Sequence, residues 1–170
     1  MSELRDPYEP MAGEANGLGP ADVIARAREA LAPVRDALER AGFYAYGTID
    51  DENRWVISAD DDAGHVDVRV GPDGYQLELW GTVPGIFSEE ENDFRRRAME
   101  RLARMTIPAV RQGFLAPNQS TWWDESEGGP GARISYDLPF TAAEQTGTFA
   151  RERLPELEKL LDFIATQVST

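Results

Sequence analysis

The side chains that could perform chemistry are few, and their spacing matches no catalytic motif. His65 is the single histidine, Lys159 is the single lysine, and cysteine is absent. A Ser-His-Asp triad would have to use His65, and no serine stands near a G-x-S-x-G turn. Without cysteine no thiolate nucleophile can form, and Lys159 is the one lysine on which a Schiff base could form. We therefore predict no catalytic residue and interpret His65 as an outward-facing residue of a strand.

The acidic residues are numerous but do not have the spacing of a metal site. The run 60–62 offers three consecutive aspartates, whereas an EF-hand loop needs ligands at alternate positions and a glutamate at the twelfth, which here is Gly71. We predict solvated turns for this run and for the acidic run 50–52. The spacing of the 31 acidic residues does not single out two of them as the carboxylate pair of a glycoside hydrolase. No phosphate-binding loop is present in the sequence. The sequence predicts no metal and no cofactor.

The net charge of -14 sets the classes of partner that the surface can attract. Such a surface repels nucleic acid and anionic lipid, so we predict neither as a partner. Residues 95–111 are locally basic, with six arginines and one glutamate. We predict that these arginines pair with acidic neighbours in the same chain, with an acidic partner as the alternative.

Large apolar side chains in outward positions are the best indication of a binding surface. Trp80 has the opposite strand phase to Leu77 and Leu79, and Trp122 and Trp123 are adjacent, so they must point to opposite faces of a strand. An apolar loop precedes the second long helix. These features predict a partner-binding surface, and the alternative is that a helix or the N-terminal tail covers them. The predicted partner-binding residues are Trp80, Val83, Ile86, Phe87, Trp122 and Trp123.

The elements that must position these residues follow from hydrophobic periodicity and turn signals. Turns are predicted at 71–74 and at 127–131 (EGGPG), and side chains are predicted to alternate along His65–Val70 and Tyr75–Trp80. The short linkers predict that the first four strands form an antiparallel meander. Helices are predicted from Pro20 to Ala41, from Ser88 to about Gly113, and from Thr141 onward. The strands are predicted at Phe43–Tyr46, Arg54–Ala59, His65–Val70, Tyr75–Trp80, Ser120–Asp124 and Ala132–Leu138. The order α-β-β-β(β)-α-β-β-α predicts an α+β fold, with one antiparallel sheet of about five or six strands and helices packed on it.

Within the helices, caps and apolar stripes are recognisable. Capping boxes are predicted at Ser88 and at Thr141. Pro33 is predicted either to kink the first helix or to start a second one, Pro108 to bend or end the second long helix, and Pro155 to weaken the first half of the last helix. The buried stripe of the second helix is predicted to contain Phe94, Ala98, Leu102, Met105 and Ala109. The last helix has an apolar seam with alternating spacings of three and four, which is typical of helix pairing. We predict that this seam forms a homodimer contact through Leu154, Leu157, Leu161 and Ile164, with burial in the core of one chain as the alternative.

The domain organisation is predicted to be simple. Residues 1–19 contain glycine, proline and scattered acids and are interpreted as a flexible acidic tail, and residues 20–170 as a single domain. Residues 1–20 contain no apolar run, and no window approaches the length of a membrane span. We therefore expect no signal peptide and a cytoplasmic location.

Several stretches together resemble a known family. They are VRDALERAGF at Val34–Phe43, DVRVGPDGYQLELW at Asp67–Trp80, the helix from Ser88, and the end of the chain with ISYDLPF and LEKLLDFIATQV. Over about residues 20–168 the pattern resembles the type III secretion chaperone-like fold, and within it the YbjN-like, sensory-transduction-regulator type of domain. This resemblance implies homodimers and, for the secretion members, binding of an extended client segment. It implies no catalytic residues.

These observations lead to one functional hypothesis and two alternatives. We predict a non-enzymatic protein-binding module, chaperone-like or regulatory, that engages a client or partner polypeptide through an exposed sheet face. One alternative is a structural or regulatory domain that mainly associates with its own copy. The other is an enzyme of unrecognised type, which would need a pocket with two carboxylates of displaced pKa.

Overall fold

The computed structural model describes residues 20–83, 93–107 and 113–169 and has the predicted α+β class. Within these residues, three α-helices and one 3-10 helix accompany one six-stranded antiparallel sheet. In chain order the elements are α1 (Pro20–Arg40), β1 (Tyr44–Ile49), β2 (Trp55–Asp61), β3 (Gly64–Val70), β4 (Gly74–Thr82), α2 (Asp93–Met105), β5 (Gln119–Asp124), β6 (Gly129–Pro139), the 3-10 helix Phe140–Gln145, and α3 (Thr146–Ser169). The predicted tail, Ser88 and Pro108 lie outside the described residues.

The strand order in the sheet is β1-β2-β3-β4-β6-β5. The first four strands therefore form the predicted antiparallel meander, and β5 lies at the edge outside β6. In the β1–β2 pair Tyr44 is opposite Asp60 and Ile49 is opposite Trp55. In the β5–β6 pair Gln119 is opposite Ile134.

The alternation predicted for β3 and β4 is confirmed. Val66, Val68, Leu77 and Leu79 are fully buried, and the residues between them are partly exposed. Successive side chains of a strand point to opposite faces, so this pattern separates an inner face from an outer face. Burial of four such side chains stabilises the fold by about 1.5–3 kcal/mol each, before the entropy cost of ordering the chain.

Contacts divide the described residues into two units. The first contains residues 20–61, 65–78 and 136–152, and the second contains residues 62–64, 79–83, 93–107, 113–135 and 153–169. In the first unit α1 contacts β1 and β2 and buries Leu31, Val34 and Leu38. The Tyr75 hydroxyl donates a hydrogen bond of 2.8 Å to the Ala30 carbonyl of α1, and burial raises the pKa of Tyr75.

The start of α3 approaches α1 closely in the first unit. A Cβ on Gly147 would collide with the backbone carbonyl of Ala37, so the approach requires a glycine there. Arg151, one turn further along α3, donates to the Ala41 carbonyl at 2.9 Å and pairs with Asp61. The guanidinium of Arg151 also lies 3.9 Å from the centre of the Phe43 ring. These contacts fix the end of α1 against the first turns of α3.

In the second unit α2 packs beside β5 and buries Ala98, Leu102 and Met105, as predicted. Phe94 was expected in this stripe but is exposed, and Arg95 is buried in its place. Arg101 of α2 donates to the Val168 carbonyl in the last turn of α3 at 3.0 Å. A cation at a helix C-terminus is stabilised by the helix dipole. Ala109 lies outside the described residues.

The apolar seam of α3 belongs to the core of the second unit. Leu154, Leu157, Leu161 and Ile164 are all buried within the single chain. A second chain could reach these side chains only if α3 left the sheet, so the predicted dimer contact through them is not supported. The same three-and-four spacing serves a core helix and a helix pair, and here the rest of the chain covers the seam.

The predicted start of the last helix was wrong, and two prolines lie inside helices. Thr141 does not cap the last α-helix, because it lies inside the 3-10 helix and α3 begins at Thr146. Pro33 and Pro155 both lie within continuous helices. Buried side chains on either side of each proline, such as Leu31 and Val34, hold the helix against the sheet and outweigh the lost backbone hydrogen bond.

The β1–β2 turn is organised by Asp50. Its Oδ1 accepts backbone hydrogen bonds of 2.9 Å from Glu52 and from Arg54, and its Oδ2 lies 3.0 Å from the Arg69 Nε. Burial alone would raise the pKa of Asp50, but the hydrogen bonds from Arg54, Arg69 and Glu52 outweigh it and hold the pKa below its ordinary value. Residues 50–52 are therefore a structured turn, and only part of this acidic run is solvated as predicted.

Truncation of the seam should reduce stability without any partner. We expect Leu157→Ala to lower the free energy of unfolding by about 2–5 kcal/mol, because it leaves a cavity in a fully buried site. Urea denaturation of dilute protein measures this change. The exposed neighbour Glu158→Ala is the control and should shift stability by less than about 0.5 kcal/mol. Equal stability of the two variants would show that Leu157 is not in the core.

Replacement of Asp50 should change how stability depends on pH. Since the folded-state pKa is lowered, the ionised carboxylate stabilises the fold above about pH 4, and this contribution is lost as pH falls through the lowered value. We expect Asp50→Asn to cost about 1–3 kcal/mol at pH 7 and clearly less at pH 3. Urea denaturation at both pH values checks this. Asp51→Asn, at an exposed position, should have little effect, and a pH-independent difference for Asp50→Asn would contradict the assignment.

Candidate protein-binding surface

Two tryptophans and an arginine of the second unit lie together on the outer face of the sheet. Trp80 lies on β4, Trp122 on β5 and Arg133 on β6. On β4, Trp80 stands between Leu79 and Gly81, which are both buried on the inner face. Leu161 of α3 lies beside Gly81, where an added Cβ would be 3.1 Å from its Cδ1. Trp80 therefore points away from α3, as its strand phase predicted.

The rings of this patch are in contact. The centroids of Trp80 and Trp122 are 6.4 Å apart with an interplanar angle of 53°. The Arg133 guanidinium carbon lies 5.2 Å from the centre of the Trp122 ring, within range of a cation–π interaction. We call Trp80, Trp122 and Arg133 the tryptophan patch. All three side chains are partly exposed.

A glycine on β6 creates the space for Trp122. Gly131 is paired with Trp122 in the β5–β6 register. A Cβ at Gly131 would lie only 2.5–2.9 Å from three atoms of the indole, so any other residue would push the ring away. The sequence E-G-G-P-G was interpreted as a turn, but β6 already begins at Gly129, and the last glycine supports the ring. This role for Gly131 was missed because it depends on the strand register.

Trp123 is not part of the patch. It has the opposite strand phase to Trp122, and the Arg95 guanidinium lies 5.9 Å from its ring. Arg95 is itself buried and donates to Glu125 at 2.8 Å. Trp123 therefore contributes to the packing of α2 on β5, and the prediction that it binds a partner is not supported.

The apolar loop can be described only at its first residue. Val83 is partly exposed, and its backbone N–H donates to the Pro130 carbonyl at 2.9 Å. Ile86 and Phe87 lie outside the described residues. The predicted surface is thus reduced to Trp80 and Trp122, with Val83 beside the strands that carry them and Arg133 as an addition.

Two arginines of α2 pair with acidic side chains of the same chain, as predicted. Arg95 binds Glu125, and Arg96 lies 3.0 Å from Asp93. Arg97 donates to the Asp93 carbonyl at 3.2 Å. These contacts explain why a basic helix occurs on an acidic chain without indicating a nucleic-acid site. Arg111 lies outside the described residues.

A second exposed aromatic pair was missed by the sequence analysis. Phe114 and Phe163 are 40% and 37% exposed, and their ring centroids are 6.2 Å apart. Phe163 lies on α3 between Leu161 and Ile164 but off their three-and-four repeat. That offset is the signal that could have identified it as a surface residue, because a helical position outside the apolar stripe faces outward.

The outer face of the first unit carries a polar network around His65. The His65 Nδ1 is 2.6 Å from a carboxylate oxygen of Asp60, and the Ser58 hydroxyl donates to Asp67 at 2.6 Å. Burial, followed by the charges of Asp60 and Asp67, raises the pKa of Tyr46. Ser58 thus directs its hydroxyl to a carboxylate instead of to the imidazole, so this arrangement is not a Ser-His-Asp relay. His65 is an outward-facing strand residue, as predicted.

The acidic run 60–62 contributes an ion pair to the fold, and a surface depression lies in the first unit. Asp61 pairs with Arg151, and among residues 20–83, 93–107 and 113–169 no three acidic or histidine side chains converge as metal ligands. A depression of about 400 Å³ lies between residues 71–76 and 137–139. Its lining contains the carboxylates of Asp73 and Asp137 but no basic group. In the described part of the chain, no helix is long and apolar enough to span a membrane.

Comparison with known proteins adds no family. No protein-family model, no curated protein and no solved structure matches the chain. The resemblance to YbjN-like domains of the type III secretion chaperone-like fold therefore stays a prediction. The functional inference has to rest on the geometry of the described residues.

Proposed function

We propose that this protein is a non-enzymatic protein-binding module, chaperone-like or regulatory, that binds a partner polypeptide through the tryptophan patch. The observation that carries the proposal is the contact between the Trp80 and Trp122 rings on the outer face of the sheet, beside the Arg133 guanidinium. Tryptophan and arginine are the residues most enriched in the energetic centres of protein interfaces.

The geometry suits binding because the side chains are already ordered. Each ring supports the other, and Gly131 fixes the position of Trp122. A partner that covers these rings would therefore immobilise little additional side-chain freedom, which is a main cost of association.

The polar surroundings of the patch contain charges of both signs. Arg133 provides a cation, and Asp124 lies two residues beyond Trp122 on the same strand phase. The hydrogen bond from the Ser126 hydroxyl and that from the backbone N–H of Glu127 lower the pKa of Asp124, so it is ionised at neutral pH. An apolar centre with a charged rim is the usual anatomy of a non-obligate protein interface.

Site-specific cross-linking tests the patch. We place a benzoylphenylalanine at Ser120, on β5 in the strand phase of Trp122, and irradiate cells that make the protein. We expect a discrete set of cross-linked polypeptides, which Trp80→Thr and Trp122→Thr each greatly reduce. Loss of an interface tryptophan weakens binding by about 2 kcal/mol, or about 30-fold.

Two controls make this result interpretable. Trp123→Phe removes an indole from the inner face and should leave the cross-links unchanged. Urea denaturation identifies variants that fail to fold, and these are excluded. If folded Trp80→Thr and Trp122→Thr proteins retain the same cross-linked polypeptides, the patch does not bind them and the proposal fails.

A second candidate function is self-association through the exposed Phe114–Phe163 pair. The specific observation is that both rings are more than one-third exposed while in contact with each other. Two apolar rings on one surface can meet the same rings of a second copy in a two-fold symmetric contact. This alternative replaces the buried seam of α3 as the predicted site of a homodimer.

Substitution on α3 separates a surface role from a core role. If the protein is a dimer, we expect Phe163→Glu to make it monomeric at micromolar concentration without a loss of more than about 1 kcal/mol in stability, because the site is exposed. Leu161→Glu should instead unfold the chain, because it buries a charge. Analytical ultracentrifugation and urea denaturation measure both effects. A monomeric wild-type protein at high micromolar concentration would eliminate the self-association function.

A further inference from the structure

One edge of the sheet lacks the features that normally protect an edge strand. In the strand order of the described residues, β1 is at the edge and pairs only with β2. Its sequence, YAYGTI, contains no charged residue and no proline, and its six residues pair one-to-one with β2 without a bulge. Natural edge strands are usually protected by charge, proline or a bulge, because an open edge pairs with other strands.

The hydrogen bonding of the hairpin shows which backbone groups of β1 point outward. The Asp50 N–H donates to the Arg54 carbonyl at 3.0 Å, and this pair continues the register in which Ile49 is opposite Trp55. Hydrogen-bonded and non-hydrogen-bonded pairs alternate in an antiparallel ladder. Thr48, Tyr46 and Tyr44 therefore bond to β2. The N–H and C=O groups of Ala45, Gly47 and Ile49 point away from β2, toward the edge.

Side chains along the same edge are exposed. Tyr44 is 74% exposed and Ile49 is 48% exposed, although both are large hydrophobic side chains. Tyr44 and Tyr46 lie on one face with ring centroids 5.9 Å apart, while Ile49 lies on the other. An added strand would thus gain three residues of backbone pairing and apolar contacts on both faces.

We propose that β1 accepts an extended, basic segment of a partner polypeptide as a seventh strand. The charges at the two ends of β1 select this partner. Asp51 and Glu52 are exposed in the turn that follows Ile49, where Arg54 pairs with Glu52. At the other end Asp60, which pairs with His65, is exposed opposite Tyr44. A strand of six residues spans about 20 Å, so the segment should carry Lys or Arg about six positions apart, with β-branched residues between them.

The same charges disfavour a second copy of this chain at the edge. Antiparallel pairing of two β1 strands would place the 50–52 turn of each copy beside the Tyr44 end of the other. Asp51 and Glu52 of one copy would then lie on the same side as Asp60 of the other, one strand removed from the contact, at both ends. Like charges opposite each other destabilise a strand pair, whereas opposite charges stabilise it.

A designed peptide tests this proposal. The probe is the fluorescently labelled peptide acetyl-Lys-Val-Thr-Val-Thr-Val-Lys-amide, and binding is measured by fluorescence anisotropy. The main variant is Ile49→Pro, which removes an outward N–H but no bond to β2. The matched control is Ile49→Val, which keeps the N–H and the strand propensity. We expect wild type and Ile49→Val to bind alike and Ile49→Pro to bind at least about tenfold more weakly.

Further arms cover the remaining outcomes. If Ile49→Pro does not fold, Ile49→Lys keeps the backbone N–H, repels the basic peptide and should weaken binding to a similar extent. Equal binding by wild type and the folded edge variant overturns the proposal, and so does equal binding of a peptide with Glu in place of both Lys residues. A wild-type dimer that the edge variant makes monomeric would identify a second copy as the occupant and also overturn it. Trp80→Thr leaves β1 unchanged and should bind the peptide normally. The peptide experiment therefore tests the β1 edge independently of the tryptophan patch.

Discussion

The alternation of buried side chains along β3 and β4 is the constraint on which the other features depend. Val66, Val68, Leu77 and Leu79 are fully buried, so every residue between them must point to the opposite face. A shift of one residue in either strand would expose the whole set, which makes the register strongly determined. The outward position of His65 and that of Trp80 are consequences of this register. The outer face is thus determined by what the inner face has to bury.

The elements that were predicted well are those whose sequence pattern lies within the element itself or in the adjoining turn. The strands β2, β3 and β4 were predicted from alternation and from turns such as Gly71–Gly74, and their positions were confirmed within one or two residues. β1 was predicted as Phe43–Tyr46 but extends to Ile49, because Asp50 organises the turn through side-chain hydrogen bonds that no periodicity reveals. β6 begins earlier than predicted because Gly129 and Pro130 pair with β5 instead of forming a loop.

The candidate site was harder to predict because faces and partners depend on tertiary contacts. Adjacency alone required Trp122 and Trp123 to point in opposite directions, but only the packing of α2 and Arg95 shows that Trp123 is the inner one. The seam of α3 illustrates the same problem. Its spacing suits a core or a helix pair equally, and only the full burial of Leu157 and Ile164 in one chain decides between them. Phe163 was not predicted as a surface residue, because the sequence analysis considered only the apolar repeat of α3 and Phe163 lies outside that repeat.

Charge has a more local role than the total of -14 suggests. Several arginines form ion pairs within the chain. Arg69 binds Asp50 and Glu78, Arg95 binds Glu125, and Arg151 binds Asp61. Each pair neutralises charges of both signs locally, and because the chain has 31 acids and 17 bases, an excess of carboxylates remains. At physiological salt such charges are screened over about 8 Å, so distant carboxylates contribute little to the binding of a given segment. The preference of any surface for a partner is therefore set by the few charges beside it. Arg133 and Asp124 determine it near the tryptophan patch. At the two ends of β1 it is set by Asp51, Glu52 and Asp60, although Arg54 pairs with Glu52 and His65 pairs with Asp60.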